Sequence, residues 1–320
     1  MKTSFAFSLK GRDWWGPFIG FWVIFLALYI PEAAVSKWVP ADNLALTFPV
    51  LILFMFLMIV VQSIFTIVFA RILLPKLSVD GKSFGFEGSI GKFLGINLLG
   101  LFLSLITIFI YYPWYLRKVT DYLLSQTSFD GEPATFFGKG GKLFVYFLLS
   151  FLIPIIVVSV IIGIVVGVSG TVGSAGSAAT SLTTAILVLV VFLVMTPYCY
   201  LMMKWYVNVG WKDLRTTWDA KFWPSCGFLL GQLCLTIITL GFYGPAAVIR
   251  GYRYFAPKIG LARGDVEAGR LGFDGEVGKG YGLLLGQGLL ALITLGIYVP
   301  WAYARVGAWM ASHTFLERKD

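Results

Sequence analysis

Three stretches of this sequence share a spacing that could do chemistry: Thr107, Tyr111 and Pro113; Thr239, Tyr243 and Pro245; Thr294, Tyr298 and Pro300. Five residues beyond each Pro stands a cation, Lys118, Arg250 or Arg305, and four residues further a ring, Tyr122, Tyr254 or Trp309. On a helix, positions i and i+4 share a face, so cation and ring are placed to stack. Arginine can also hold a carboxylate or phosphate through both arms of its fork, where lysine offers only a point charge. Two readings stay open for these cations. One is an interfacial anchor snorkelling to lipid phosphate; the other is an internal site in which Arg250 and Arg305 help bind an anionic ligand or lipid head. Gln232 and Gln287 occupy equivalent positions ahead of the second and third motifs. With Asn97 and Gln62 they would line a polar pathway or, alternatively, bond helix to helix. The candidate ligand- or lipid-contacting residues are therefore Arg250, Arg305, Lys118, Tyr243, Tyr298, Gln232 and Gln287.

Other chemistry is poorly provided for. His313 is the only histidine, which leaves no His cluster for a metal and one terminal residue for any Ser-His-Asp arrangement. Cys199, Cys226 and Cys234 fall in or beside apolar runs, where a lone Cys behaves as a small hydrophobe. The run FGKGGKLF, Phe137 to Phe144, lacks the Gly spacing and the Ser or Thr of a P-loop and reads as a glycine-rich surface turn. No catalytic residue, cofactor or metal is expected, and the chain is not read as an enzyme.

The elements that must position the motifs are membrane helices. Hydrophobic residues make up 58% of the 320, charged residues 13%, and the mean hydropathy is +0.84. Seven apolar segments emerge: about Pro17 to Ala34, Leu46 to Leu74, Phe93 to Trp114, Leu143 to Val168, Leu182 to Met203, Cys226 to Ile249 and Tyr281 to Tyr303. In lipid such runs satisfy their backbone internally, so the predicted class is an all-α integral membrane protein. Each motif's Pro should kink or end its helix near the interface. Trp14, Trp15, Trp38, Trp114, Trp205, Trp223 and Trp301 sit at segment edges as interfacial anchors.

Internal duplication runs through this pattern. Leu229 to Pro245 matches Leu284 to Pro300 at 11 of 17 positions, and Leu105 to Trp114 is a more worn copy with Phe109 in place of Gly241 and Gly296. The two fuller copies should pack as a pair, with Gly231, Gly241, Gly286 and Gly296 allowing close approach. Asp80-Gly81, Asp130-Gly131 and Asp274-Gly275 favour type I′ turns, so small β-hairpins at the membrane surface are expected. SFAFSLKG at the N-terminus reads as a partial copy lacking the Asp-Gly. The organisation is 1–80, an N-terminal two-helix segment; 81–145, the first repeat; 146–220, a two-helix insertion; and 221–320, the duplicated pair.

A net charge of +9 is spread over the connections. Arg71 to Lys92, Lys204 to Pro224 and Arg250 to Gly280 carry a basic excess, which places them in the cytoplasm beside anionic lipid and disfavours nucleic acid as the partner. Val35 to Ala45 and Gly167 to Ser181 lack that excess and should lie outside, the second as a flexible Gly/Ser/Ala loop. Three apolar segments separate these two connections, yet an even number of crossings must. The segment Phe93 to Trp114 is the candidate for a half-crossing, with a full span that violates the charge rule as its rival.

The motifs with their trailing cation and ring, together with the Asp-Gly-x-x-Phe-type stretches, resemble the YjgN-like family of bacterial inner-membrane proteins. The resemblance covers Phe84 to Val145 and Lys221 to Phe315 and implies a multi-pass protein of the bacterial cytoplasmic membrane; it brings no catalytic residues. Two functions follow as expectations. One is a transporter or channel for a small or anionic solute, since repeats and interrupted helices build midplane sites. The other is a non-transporting scaffold, lipid-interacting protein or assembly factor. Anionic membrane lipid and further copies of the chain are the expected partners.

Overall fold

The computed structural model describes residues 2–38, 44–168 and 177–318. Ten short strands form a closed antiparallel barrel in the order β1-β10-β9-β8-β7-β6-β5-β4-β3-β2. They are β1 (Lys2–Phe7), β2 (Leu77–Val79), β3 (Lys82–Phe86), β4 (Thr127–Phe129), β5 (Glu132–Phe136), β6 (Val209–Trp211), β7 (Leu214–Trp218), β8 (Ile259–Arg263), β9 (Val266–Phe273) and β10 (Thr314–Arg318). The expectation of an all-α chain is thereby corrected. The Asp-Gly hairpins do not lie singly on a surface; they pair with their neighbours until the sheet has no edge.

Between consecutive β-hairpins the chain leaves the barrel and returns as two helices. These helices are α1 (Gly11–Trp38) and α2 (Leu44–Leu73); α3 (Ile90–Ile106) and α4 (Tyr112–Ser125); α5 (Gly140–Phe147), continued through a π-turn into α6 (Ile153–Val168), with α7 (Ser177–Tyr206); α8 (Phe222–Ile238) and α9 (Gly244–Phe255); α10 (Val277–Ile293) and α11 (Val299–Ser312). The returning helix of each pair packs on the outgoing helix of the next, α11 on α1 included, so the helices make a ring over one end of the barrel.

The count of seven spans is also corrected. Among the described residues three helices are long and apolar enough to cross a membrane, within Gly11–Ile30, Thr47–Lys76 and Gly140–Ile161. The segments Phe93 to Trp114, Cys226 to Ile249 and Tyr281 to Tyr303 each contain a reversal and belong to two helices. The connections expected outside, Val35 to Ala45 and Gly167 to Ser181, lie partly outside the described residues at 39–43 and 169–176.

Local chemistry sets the barrel's joints. Asp80 and Gly81 take φ 55° and 75°, and Asp130 and Gly131 take 54° and 79°, the pair of positive angles that a type I′ turn demands. Asp274-Gly275 makes no turn. It follows the end of β9 as the junction into α10, and the Phe273 ring lies where a Cβ on Gly275 would go. Gly88 under Phe86 and Gly138 under Phe136 repeat that Phe-x-Gly arrangement before α3 and α5. Ion pairs then tie neighbouring hairpins around the turn rim: Lys82 to Asp130 at 2.8 Å, Lys212 to Glu132 at 3.3 Å, Arg318 to Asp80 at 3.8 Å and Lys2 to Glu317 at 3.5 Å. Lys82's hydrogen bond holds the Asp130 carboxyl below its ordinary range.

Two of the expected tryptophan anchors are core residues. Trp14 is 5% exposed and donates to the Pro300 carbonyl at 3.2 Å; Trp205 is 3% exposed and donates to the Lys139 carbonyl at 3.1 Å. Trp14 thus pins α1 to the start of α11, and Trp205 pins α7 to the residue that caps α5.

Candidate functional site

The three Thr-x-x-x-Tyr-x-Pro motifs are the reversals of the short helix pairs. Each outgoing helix ends at the Thr through the 6→1 and 5→2 hydrogen bonds of a Schellman turn: Gly241 N–H to the Thr236 carbonyl at 2.7 Å and Leu240 N–H to Ile237 at 2.9 Å, with Gly296 and Leu295 reproducing both. Phe109 and Ile108 do the same in the first motif. The turn residues are left-handed, with φ 49° and 90° at Leu240 and Gly241, 51° and 89° at Leu295 and Gly296, and 50° and 62° at Ile108 and Phe109.

The Thr hydroxyl works twice. Thr239 Oγ1 donates back to the Leu235 carbonyl at 2.8 Å and accepts the Tyr243 N–H at 3.0 Å; Thr294 with Tyr298 and Thr107 with Tyr111 match it. The Tyr is then the cap of the returning helix, whose second residue is the Pro, where a missing N–H costs nothing. Proline therefore starts a helix here and does not kink one. Gly241 and Gly296 serve the turn angle; a Cβ on either, or on Gly231 or Gly286, meets nothing within 4 Å. The second and third pairs do touch, through α9 and α10, at Gly280 beneath Ile249 and Trp309.

The sequence candidates gather inside these pairs. Tyr243 donates to Gln232 Oε1 at 2.9 Å and receives Arg250 Nη1 at 2.6 Å, so α8, the turn and α9 are joined by one polar chain. Tyr298 donates to Gln287 Oε1 at 3.0 Å, while the corresponding cation, Arg305, is exposed. The expected forward stacking of cation on ring does not occur. Arg250 lies over Tyr243, 5.4 Å from its centroid, and Lys118 over Tyr111 at 5.8 Å, each ring seven residues earlier. Tyr254 instead receives Lys258 and stacks on Phe228, and Trp309 packs on Phe273 and His313. Asn97 ties α3 to α2 through Ser63 at 2.8 Å and accepts the Tyr115 hydroxyl at 2.9 Å; Gln62 bonds Thr66 within its own helix.

The first pair differs where it counts. Gly100 stands at the position of Gln232 and Gln287, and the Tyr115 ring fills the place of its missing Cβ. The Tyr111 hydroxyl accordingly has no glutamine to meet. Beside it opens a cavity of about 420 Å³ between Gly95 and Gly100, with Lys92 and Lys118 at its edge. Lys92 and Gly100 carry no motif signal of their own; the signal is the exchange of Gln for Gly between copies.

Among the described residues the reversals are the most exposed apolar points: Ile108 84%, Leu240 89% and Leu295 92%. Apolar tips presented this way on five-residue turns suit a hydrocarbon surrounding.

Comparison with known proteins supplies the chain's family. The model of a family described as "Bacterial protein of unknown function (DUF898)" matches residues 13–267. This chain belongs to that family. It is also 36% identical over 68 residues to the inner membrane protein YjgN of Salmonella typhimurium; the match spans 21% of this chain and 17% of that relative's length. No solved structure matches. The chain is thus a YjgN-like family member with apolar, membrane-type helices.

Proposed function

We propose that this family member is a lipid-interacting, non-transporting protein of the inner membrane, with its barrel at the cytoplasmic face and three short helix pairs dipping into the near leaflet. One observation carries the reading: each short pair turns back at an exposed apolar tip, and a cation stands only six residues into the returning helix. Six residues rise about 9 Å, against roughly 30 Å for a full hydrocarbon core, so a cation held at the headgroups leaves its tip in one leaflet. By the same measure α1 and α2, 28 and 30 residues long, reach about 42 to 45 Å and cross completely.

The charge rule supports this arrangement. With the short pairs counted as half-crossings, Val35 to Ala45 and Gly167 to Ser181 are separated by two crossings, α2 and the α5–α6 helix, and both can lie outside. The groove edged by Lys92 and Lys118 fits an anionic lipid phosphate, with an acyl chain along Ile96 and Leu99. A solute path would need Gln232 and Gln287 available, whereas the Oε1 of each already accepts from a tyrosine.

Single-cysteine labelling in a background without Cys199, Cys226 and Cys234 tests the reading. Lys82→Cys and Lys139→Cys should react from the cytoplasmic side only, and Leu240→Cys and Leu295→Cys from neither aqueous side. Labelling of Leu240→Cys from the periplasm would end it. Phosphatidylglycerol carried through purification should fall several-fold in Lys92→Gln/Lys118→Gln.

A further inference from the structure

The ten strands enclose a cavity of about 630 Å³ that nine of them line. Its wall is apolar: Phe5, Phe84, Phe129, Trp211, Leu261 and Leu316 face it, with Phe84 and Phe129 4.9 Å apart between centroids. Small barrels ordinarily fill themselves with side chains; here Ala268 and Thr216 are too short to do so. The only charged residues of the lining are Arg263 and Arg318, the last residues of β8 and β10, at the turn rim. Arg263 meets Asp213 through Nε, so that ion pair engages one edge of the fork. At the other end a second cavity, about 330 Å³, shares Phe5 and Leu271 with the first and runs on to Tyr252, Tyr303 and Met310 of α9 and α11.

An apolar tube with a cationic mouth and a floor among apolar helices has the shape and polarity of one kind of molecule. Each volume falls within the roughly 300 to 1,000 Å³ typical of small-molecule sites. We infer that the lumen binds a single-chain anionic amphiphile, its acyl chain along the tube and its carboxylate or phosphate against Arg263 and Arg318. A bidentate anion suits guanidinium; Arg318 also meets Asp80 at 3.8 Å, and neither Asp213 nor Asp80 is among the residues that line the cavity. A cationic amphiphile of equal length is excluded by the same two groups.

The test uses the full chain in phosphatidylcholine nanodiscs with a diazirine-bearing palmitate, followed by peptide mapping. Crosslinks are expected on the stretches holding Phe84, Phe129, Leu261 and Leu316. Unlabelled hexadecylamine should not compete. Competition by palmitate over monoacyl phosphatidylglycerol, or the reverse, separates a free fatty acid from a lysolipid source. Ala268→Trp fills the tube and should cut lumen labelling at least ten-fold; Arg263→Gln/Arg318→Gln, at the exposed rim, should cut it several-fold. Crosslinks confined to helices in the wild type overturn the inference, as does unchanged lumen labelling in a folded Ala268→Trp. Should Ala268→Trp not fold, the arginine pair decides: labelling equal to wild type overturns the inference, and a several-fold loss supports it.

Discussion

The first and fourth helix pairs leave the same barrel and return to it, yet one is about twice as long as the other. In α1 and α2 apolar residues continue without a stop, and the helices run 28 and 30 residues. In α8 and α9 the apolar run is nearly as long in sequence, but Thr239, Leu240 and Gly241 turn it back after 17 residues. Length of hydrophobic sequence therefore does not set reach here. The turn chemistry does: a hydroxyl caps both helices, a positive-φ pair reverses the chain, and a proline opens the return.

That contrast can be broken most severely at the turn glycines. Gly241→Val or Gly296→Val forces a branched side chain to φ near 90°, with an expected loss of about 2 kcal/mol per site in detergent unfolding. Gly16→Ala in α1, helical and with open space around it, should be neutral or stabilise by up to about 1 kcal/mol. Equal effects at Gly16 and Gly241 would dissolve the distinction. Next in size, Thr239→Val strips both hydrogen bonds of the cap and should cost roughly 1 to 2 kcal/mol in the same assay.

A finer comparison sets the second motif against the first. Tyr243→Phe removes the link among Gln232, Tyr243 and Arg250 and should cost about 1 kcal/mol, whereas Tyr111→Phe, with no glutamine opposite, should cost far less. Matching losses would show that the Gln-to-Gly exchange is silent.

The smallest effect concerns the rim. Asp130's carboxyl is held low by Lys82, so the contribution of that pair is complete above the ordinary Asp range and fades as pH falls through the lowered folded value. Asp130→Asn should flatten the acid limb of a stability-against-pH curve slightly and leave neutral pH nearly unchanged. The side chains are about half exposed, which keeps the effect small.

Much of the helical layer was legible in the sequence, because apolar length and the spacing of Thr, Tyr and Pro are local signals. The charge count singled out Phe93 to Trp114 for a half-crossing, but the position of each reversal was hidden because Leu240, Gly241 and Phe242, like their counterparts, are themselves apolar or neutral and hydropathy reads straight through them. Asp80-Gly81 and Asp130-Gly131 announced two hairpins correctly. The barrel could not be read. Several of its strands are 3 to 5 residues long, too short for a periodic signal. Ser4, Ser78, Ser83, Gly85 and Ser128 alternate with the lumen residues and make β1 to β4 resemble loops. Of the candidate site, Gln232, Tyr243 and Arg250 come together, but the stacking was assigned in the wrong direction. On the return helix, Tyr243 caps the first turn, and its ring is already in place when Arg250 passes it two turns later.

The pairing of β1 with β10 joins Lys2 to Glu317 and Ser4 to Phe315, across nearly the whole length of the chain. The other strand pairings up to β9 can form as synthesis proceeds, but β10, which pairs with both β9 and β1, waits for residues 314 to 318. Until then β1 and β9 each have an edge of unpaired backbone groups, a template for a foreign strand. Closure is thus a late, long-range event in biogenesis, slow by its sequence separation. A nascent chain halted before Thr314 would have every helix pair made and the barrel still ajar.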